Sequence, residues 1–344
     1  MRISVALASY NGEKYIKEQL QSILDQTIPV DEIIVSDDGS KDSTVEIVKS
    51  FNDPRIILLQ DNVNHGYTGN FEHALKHTTG DIIFLSDQDD VWIPNKVERH
   101  LSVFESNPDV GLIISDGIII DKDGVESSEM LALNAFNATI DVKSTGILSR
   151  TEYLSTAAIV CLANGMALCV TKNALDKALP FPDCTIAHDH FICFTALNLF
   201  KVYYLYEPLV KYRIHGENVS VQTKNISFIK RLKRSTLRSY NLPYDQYNLS
   251  LAVLNQLDET NPDNEEAVKV TNEKLQVSLK QILALERNPF ASFFCLCKLF
   301  FSDKKYKAYG KNYFISQLLF VLLKPFLFLK NELTRTRAIT KTQE

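Results

Sequence analysis

Short apolar runs alternate with segments of helical spacing from the first residues onward. "ISVALAS" (3–9), "EIIVSD" (32–37), "RIILL" (55–59) and "DIIFLSD" (81–87) read as strands. Between them, Ile16, Leu20, Ile23 and Leu24 recur at helical spacing, "DSTVEIVKSF" (42–51) forms a second helix, and a third lies near 68–78. Ser43 and Glu46 have capping-box spacing and, with Asp42, mark where the second helix begins. This alternation predicts a parallel sheet with helices on both faces. Ligands of such sheets bind beyond the carboxyl ends of the strands. The unusual polar stretches fall there: "YNGEKY", "DDGS", "DNVNHG" and "DQDD" follow the four strands in turn.

Past residue 108, "VGLIISDGIIIDKDGV" carries a turn signal at "DKDG" (121–124), and a polar, poorly periodic segment covers 125–145. Two further strands, "MALCV" (166–170) and "PLVKYRIH" (208–215), flank a helix that starts at "HDHF". The strand period puts Val210, Tyr212 and Ile214 on one face and Lys211, Arg213 and His215 on the other. From about 222 the pattern turns helical, in "SFIKRLKRSTLRSY" and "EEAVKVTNEKLQVSLKQILALE". The expected organisation is one α/β domain over 1–220, with halves at 1–108 and 109–220, followed by a helical region over 221–344.

The 344 residues, 45% apolar and 23% charged, give room for one large domain with an appendage. A net charge of −5 argues against nucleic acid as a partner, but the charge is unevenly placed. Residues 1–100 hold 17 acidic against 9 basic side chains, whereas 302–341 hold 2 against 9. The six cysteines fit neither a zinc ribbon nor a disulfide framework and read as reduced core residues of a cytosolic protein. Met1 leads straight into a strand without the features of a secretory signal. The longest apolar stretch, 313–329, is broken by Ser316, Gln317, Lys324 and Pro325 and is too interrupted to span a bilayer. With the basic segment 224–238 and the aromatic stretch 289–301, it suits the anionic inner face of the plasma membrane; a buried helical cap is the alternative.

The acidic loops carry the candidate chemistry. Asp87 and Asp89 lie two apart, so in an extended segment their carboxylates face the same way and can ligate a hard cation, Mg²⁺ or Mn²⁺, that holds substrate phosphates. A solvated acidic turn, with Asp90 capping the next helix, is the plainer reading. Asp37 and Asp38 suit hydrogen bonds to a nucleobase or ribose, with Tyr10 as a packing surface beside them; there is no Gly-x-Gly-x-x-Gly fingerprint. Asp189, between His188 and His190, is either a helix cap or a general base for a hydroxyl nucleophile. The cationic row of Lys211, Arg213 and His215 suits a diphosphate leaving group, or is an ordinary exposed strand face.

"SVALASYNGEKYIKEQLQSILDQT", "EIIVSDDGSKDST", "QDNVNHG" and "GDIIFLSDQDDVW", in this order and spacing, resemble the inverting nucleotide-sugar glycosyltransferases of family two over roughly residues 1–220. The resemblance implies a GT-A (Rossmann-like) fold, a nucleotide-diphosphate sugar donor and a divalent metal at Asp87-Gln88-Asp89. It places the donor at Tyr10, Asn11, Asp37, Asp38, Asn64, Gly66, Asp87, Gln88 and Arg213. It places the metal at Asp87 and Asp89, with His215 as a further ligand. It carries the catalytic base onto Asp189, although the family's usual Glu-Asp pair is here His188-Asp189, and it sets Trp92, Asn164, Gly165 and His188 on the acceptor side. "DQDDVW", "HD" and "YRIHGENVS" look like the bacterial rhamnosyltransferase branch, which implies dTDP-L-rhamnose as donor, with a UDP-hexose as the alternative. The family's role in surface polysaccharide assembly implies a polyprenyl-diphosphate-linked saccharide as acceptor. The rivals are a nucleotidyltransferase, whose glycine- and basic-rich phosphate loop "YNGEKY" does not match, and a non-catalytic sugar-binding scaffold.

Overall fold

The computed structural model describes residues 1–60, 63–130, 144–148, 164–182, 185, 187–216 and 218, together with 269, 272, 273, 276 and 278–280. The chain divides into two compact units, Met1–Val221 with Leu249–Asn272, and Gln222–Asn248 with Glu273–Glu344. The described residues of the second unit are helical. The segments 224–238, 289–301 and 313–329, for which membrane contact was expected, lie outside the described residues.

The first unit is built on β1 (Ile3–Ser9), β2 (Glu32–Asp37), β3 (Ile56–Gln60), β4 (Ile82–Asp87), β5 (Val91–Trp92), β6 (Val110–Ile120), β7 (Glu126–Met130), β8 (Gly146–Ile147), β9 (Leu168–Thr171) and β10 (Lys201–Arg213). They form one sheet in the order β3-β2-β1-β4-β9-β6-β10-β5, with β7 beside β6 and β8 beside β10. Strands β3, β2, β1, β4, β6 and β10 run one way, and β9 runs antiparallel between β4 and β6. The sheet is thus mostly parallel, as expected, with β9 reversed inside it and β5, β7 and β8 pairing antiparallel with β10 or β6. Period-two burial reports a strand but carries no direction, so the sequence could not show the reversal. Two expected boundaries also move: the supposed polar segment 125–145 contains β7, and the last strand begins at Lys201 rather than 208.

Among the described residues, helices α1 (Ile16–Leu24), α2 (Thr44–Ser50), α3 (Gly66–Lys76), α4 (Lys96–Ser106), α5 (Lys172–Ala178) and α6 (His188–Leu199) cover the faces. Successive residues of each strand feed opposite cores. Val5 and Leu7 of β1 pack with Ile16, Leu20 and Ile23 of α1 and Val97 and Phe104 of α4. Ala6 faces the other side, with Phe71 and Leu75 of α3, Leu175 of α5 and Phe191 of α6. Each fully buried Leu or Ile contributes roughly 1.5–3 kcal/mol over an exposed one, so the two cores fix the layering. The capping box expected at α2 is not made: Ser43 has no side-chain cap bond, and Asp42 Oδ1 instead accepts from the Thr44 N–H at 3.1 Å. Because β1, β2, β3 and β4 are parallel, their carboxyl ends bring the four acidic or polar loops to one edge.

Candidate active site

The loop after β2 is built by its own carboxylates. Asp37 accepts from the hydroxyls of Ser9 (3.1 Å) and Ser40 (2.5 Å) and from the N–H groups of Gly39 (3.2 Å) and Ser40 (2.9 Å). Asp38 accepts from the N–H groups of His65 (2.6 Å) and Gly66 (3.0 Å), while its carbonyl takes the Asn64 amide at 3.2 Å. Both side chains are buried. These six donors let the two carboxylates, expected to meet a base or ribose, also shape the loops and anchor the start of α3. Gly66, expected to meet the donor, likewise spends its N–H on Asp38.

The loop after β1 is clamped to the loop after β4. The Tyr10 N–H donates to Gln88 Oε1 at 2.8 Å, and Gln88 Nε2 donates back to the Tyr10 carbonyl at 3.0 Å. A Cβ at position 12 would collide with the Gln88 side chain, which is why Gly12 sits there. The Gln88 side-chain amide, expected to meet the donor, thus clamps its own loop to the Tyr10 backbone. The Tyr10 ring above it is 49% exposed and remains a packing surface. Asn11, also exposed, accepts from the Lys41 N–H at 2.8 Å.

The carboxylates after β4 are served very differently. The Asp87 carboxylate accepts no hydrogen bond among the described residues, while its carbonyl takes the Ser86 hydroxyl at 3.1 Å. Asp89 Oδ2 meets His215 Nε2 at 2.7 Å. Asp90 is fully buried; its Oδ1 accepts from the Arg213 N–H at 3.0 Å, and its Oδ2 has no partner. Removal from bulk water, then the charges of Asp89 and Asp189, push the Asp87 carboxyl up to about 8, with Lys96 acting in the opposite sense. Burial pushes Asp90 well above the carboxylate range, reinforced by Asp89 and Asp87. Asp90 is thus no cap of α4; it belongs to the floor of the acidic cluster.

Lys96, not among the residues singled out from the sequence, is buried behind that floor. Its ammonium donates to the Met166 carbonyl at 2.5 Å and lies 4.5 Å from the centre of the Trp92 ring. Burial pulls its pKa down to about 7 despite the nearby Asp90 and Asp87. The only legible signal was its spacing, six residues after Asp90 at the start of a helix. Trp92, expected on the acceptor side, is 2% exposed and packs on Phe84 at 5.3 Å, so it is a wall of the core.

Asp189 lies in the first turn of α6, not at its cap; Ala187 holds the cap position without a side-chain bond. Its Oδ1 accepts from the His190 N–H at 2.7 Å. Its charge is among those that raise the Asp87 carboxyl, after burial and Asp89. His188 is buried, stacked on Phe71 at 3.8 Å, and among the described residues neither ring nitrogen has a hydrogen-bond partner; burial holds its pKa down. Gly165 makes room for it, since a Cβ there would stand 2.7 Å from His188 Nε2. Asn164, half-buried, precedes the short 3-10 turn Gly165–Ala167.

Arg213 is 2% exposed and so is not on an open cationic face with Lys211 and His215. Its Nε donates to the Asp89 carbonyl at 2.8 Å and its Nη2 to Glu18 Oε2 at 2.6 Å, with the guanidinium 4.7 Å from the Tyr15 ring centre. Lys211 pairs instead with Glu126 at 2.7 Å. Among the described residues no group of three or more His, Cys, Asp or Glu side chains converges tightly enough to hold an ion alone.

A six-strand parallel core crossed by one antiparallel strand, with an acidic Asp-x-Asp loop at its carboxyl edge, defines the GT-A class of α/β fold. The fold is shared with TarS of S. aureus, solved with UDP-GlcNAc (TM-score 0.55, 18% identity, 92% of this chain and 90% of that one). It is also shared with the mannosyltransferase PcManGT of Pyrobaculum calidifontis, solved with GDP-Man and Mn²⁺ (TM-score 0.51, 16% identity, 94% and 87%). Residues 4–149 match the model of "Glycosyl transferase family 2". Relatives include an uncharacterized glycosyltransferase of Nostoc sp., 30% identical over 227 residues (63% of this chain, 66% of the relative). Another is WfgD of Escherichia coli, a UDP-Glc:alpha-D-GlcNAc-diphosphoundecaprenol beta-1,3-glucosyltransferase, 39% identical over 105 residues (30% and 42%). The matched part thus spans less than two thirds of these relatives' own lengths.

Proposed function

We propose that the protein is an inverting, metal-dependent glycosyltransferase that moves a hexose from a nucleotide diphosphate to a hydroxyl of a polyprenyl-diphosphate-linked saccharide. The observation that carries this reading is the placement of Asp189, from α6, within electrostatic reach of Asp87 at the end of β4. A base for an incoming alcohol and a site for a departing diphosphate then share one crevice.

The acidic cluster fits a hard divalent cation, Mg²⁺ or Mn²⁺. Asp87, Asp89 and Asp90 stand together with an Asp90 oxygen that has no partner among the described residues, and burial with mutual repulsion raises the Asp87 and Asp90 carboxyls, a strain that a bound cation would relieve. Mg²⁺-like ions are held by one or two carboxylates plus substrate phosphates rather than by complete protein cages, so Asp87 and Asp89, with His215 alongside, suffice as the protein's share. When bound, the ion supplies charge stabilisation for the diphosphate leaving group. Asp189 accepts the proton of the acceptor hydroxyl, and one displacement inverts the anomeric centre without a covalent enzyme intermediate. Tyr10 offers a face to the nucleobase, with Asn11 and Asn64 at the rim.

The named relatives and neighbours carry glucose, N-acetylglucosamine and mannose, which favours a UDP-hexose as donor. The motifs "DQDDVW", "HD" and "YRIHGENVS" keep dTDP-L-rhamnose as the second donor to test. Among the described residues no helix is long and apolar enough to cross a membrane, and a lipid-linked acceptor would place the protein at the inner face of the plasma membrane.

Thermal shift against UDP-, dTDP- and GDP-sugars, with and without Mn²⁺, tests the reading. The donor should raise the melting temperature, and more with the metal, because ligands that bind only the native state stabilise it. No response to any nucleotide sugar, and no donor hydrolysis with Mn²⁺, would leave a sugar-binding scaffold in its place.

A further inference from the structure

We propose that Arg213 is a positioning residue that preforms Asp89 and His215 as one jaw of the cation site, and that it is not a ligand of the diphosphate. The proposal rests on the metal reading above. Arg213 and His215 grip the same aspartate from two sides. The Arg213 guanidinium holds the Asp89 carbonyl at 2.8 Å, and the His215 imidazole holds the Asp89 carboxylate at 2.7 Å.

The segment carrying both residues is itself closed into a fixed turn. Asn218 Nδ2 donates to the Arg213 carbonyl at 2.9 Å, and Asn218 Oδ1 accepts from the His215 N–H at 2.5 Å. Both side chains also lie against the Tyr15 ring, Arg213 at 4.7 Å and His215 at 5.0 Å between centres. Glu18, in the first turn of α1 just after Tyr15, accepts from Arg213 Nη2 at 2.6 Å. This gives the spacing Arg-x-His-x-x-Asn a physical meaning: a buried fork, the imidazole it helps aim, and the amide that locks the two.

Burial explains why Arg213 cannot also be the phosphate clamp. At 2% exposure, its donors serve a carbonyl and a carboxylate already in place, and turning outward would leave the Asp89 carbonyl and Glu18 without them. A lysine would keep the charge but not the fork, because an ammonium cannot span two acceptors in a fixed plane.

The full-length protein is titrated with MnCl₂ in the presence of UDP, reading free Mn²⁺ by electron paramagnetic resonance, and UDP affinity is then measured at saturating Mn²⁺. R213K should weaken Mn²⁺ binding by about tenfold or more, as loss of partners that orient metal ligands commonly does, while UDP affinity at saturating Mn²⁺ changes by less than about threefold. Glu18→Gln, at a residue 57% exposed, should shift Mn²⁺ binding the same way by about two- to threefold, and it keeps the test decisive if R213K does not fold. R213K combined with His215→Ala should cost less than the two changes added, because both act on Asp89. Unchanged Mn²⁺ affinity in these variants, or a UDP affinity that collapses while Mn²⁺ affinity holds, overturns the proposal. Wild-type protein that binds no Mn²⁺ with UDP sinks the metal reading first, and this proposal with it.

Discussion

Two acidic pairs stand at the carboxyl edge of the same sheet, and their surroundings are opposite. Asp37 and Asp38, after β2, receive six hydrogen bonds from hydroxyl and N–H donors. Asp87 and Asp90, after β4, receive one, from the Arg213 N–H, and the fold pushes both carboxyls upward in pKa. A carboxylate satisfied by local donors stabilises a loop; one withdrawn from water beside like charges stores an electrostatic deficit that a cation can relieve. The first pair is satisfied by its own loops, and the second is the pair on which the proposed metal site rests.

The sharpest break of this contrast is at the residue facing the second pair. Asp189→Asn should lower kcat by about 10²–10⁴-fold, the usual contribution of a general base, with donor binding retained; near-normal transfer would remove Asp189 from that role. Next comes Asp89→Ala, which should abolish the dependence of nucleotide binding on Mn²⁺ measured by titration calorimetry, while leaving the melting temperature of the metal-free protein close to wild type. Asp37→Ala should do the reverse. It strands buried donors and should cost about 1–3 kcal/mol of stability in denaturant melts, with Mn²⁺ affinity little changed in whatever remains folded.

The smallest expected effect is on the pH dependence of the metal-free protein. The folded Asp87 carboxyl sits at about 8, above the ordinary 3.8, so the folded protein keeps a proton that the unfolded chain loses across that window. The stability tied to this proton is complete below about 3.8 and is lost as pH rises through about 8. Asp87→Asn mimics the protonated form. It should therefore gain on wild type by about 1 kcal/mol between pH 4 and 8, the full linkage value being reduced by solvent around a partly exposed group. Mn²⁺ should erase that gain by stabilising wild type alone. A difference that stays flat with pH would mean Asp87 ionises freely.

Much of the frame was legible from periodicity. β1 and β2 begin and end where the apolar runs do, because near-continuous apolar segments of this length fit buried parallel strands. The acidic loops were legible as the carboxyl-edge crevice for the same reason. What was not legible is who satisfies whom. Asp37-Asp38 and Asp89-Asp90 are the same dipeptide after similar strands, and only the folded chain shows that the first meets Ser40, His65 and Gly66 while the second meets Arg213 and His215 from far along the sequence. Arg213 and Trp92 misled because charge and aromaticity suggest exposure to ligand, whereas both are buried, one by a fork of acceptors and the other by a core. Lys96 was invisible because a lysine opening a helix is ordinary until its burial is seen.

The most direct measurement of the central claim is a crystal structure with UDP and Mn²⁺, using anomalous scattering to locate the metal. The account predicts Mn²⁺ bound at Asp89, beside Asp87 and the diphosphate, with Arg213 still buried against Glu18 and with Asp37 and Asp38 unmoved. Bound UDP without any metal at that loop, its phosphates resting instead on an outward-turned Arg213, would contradict it.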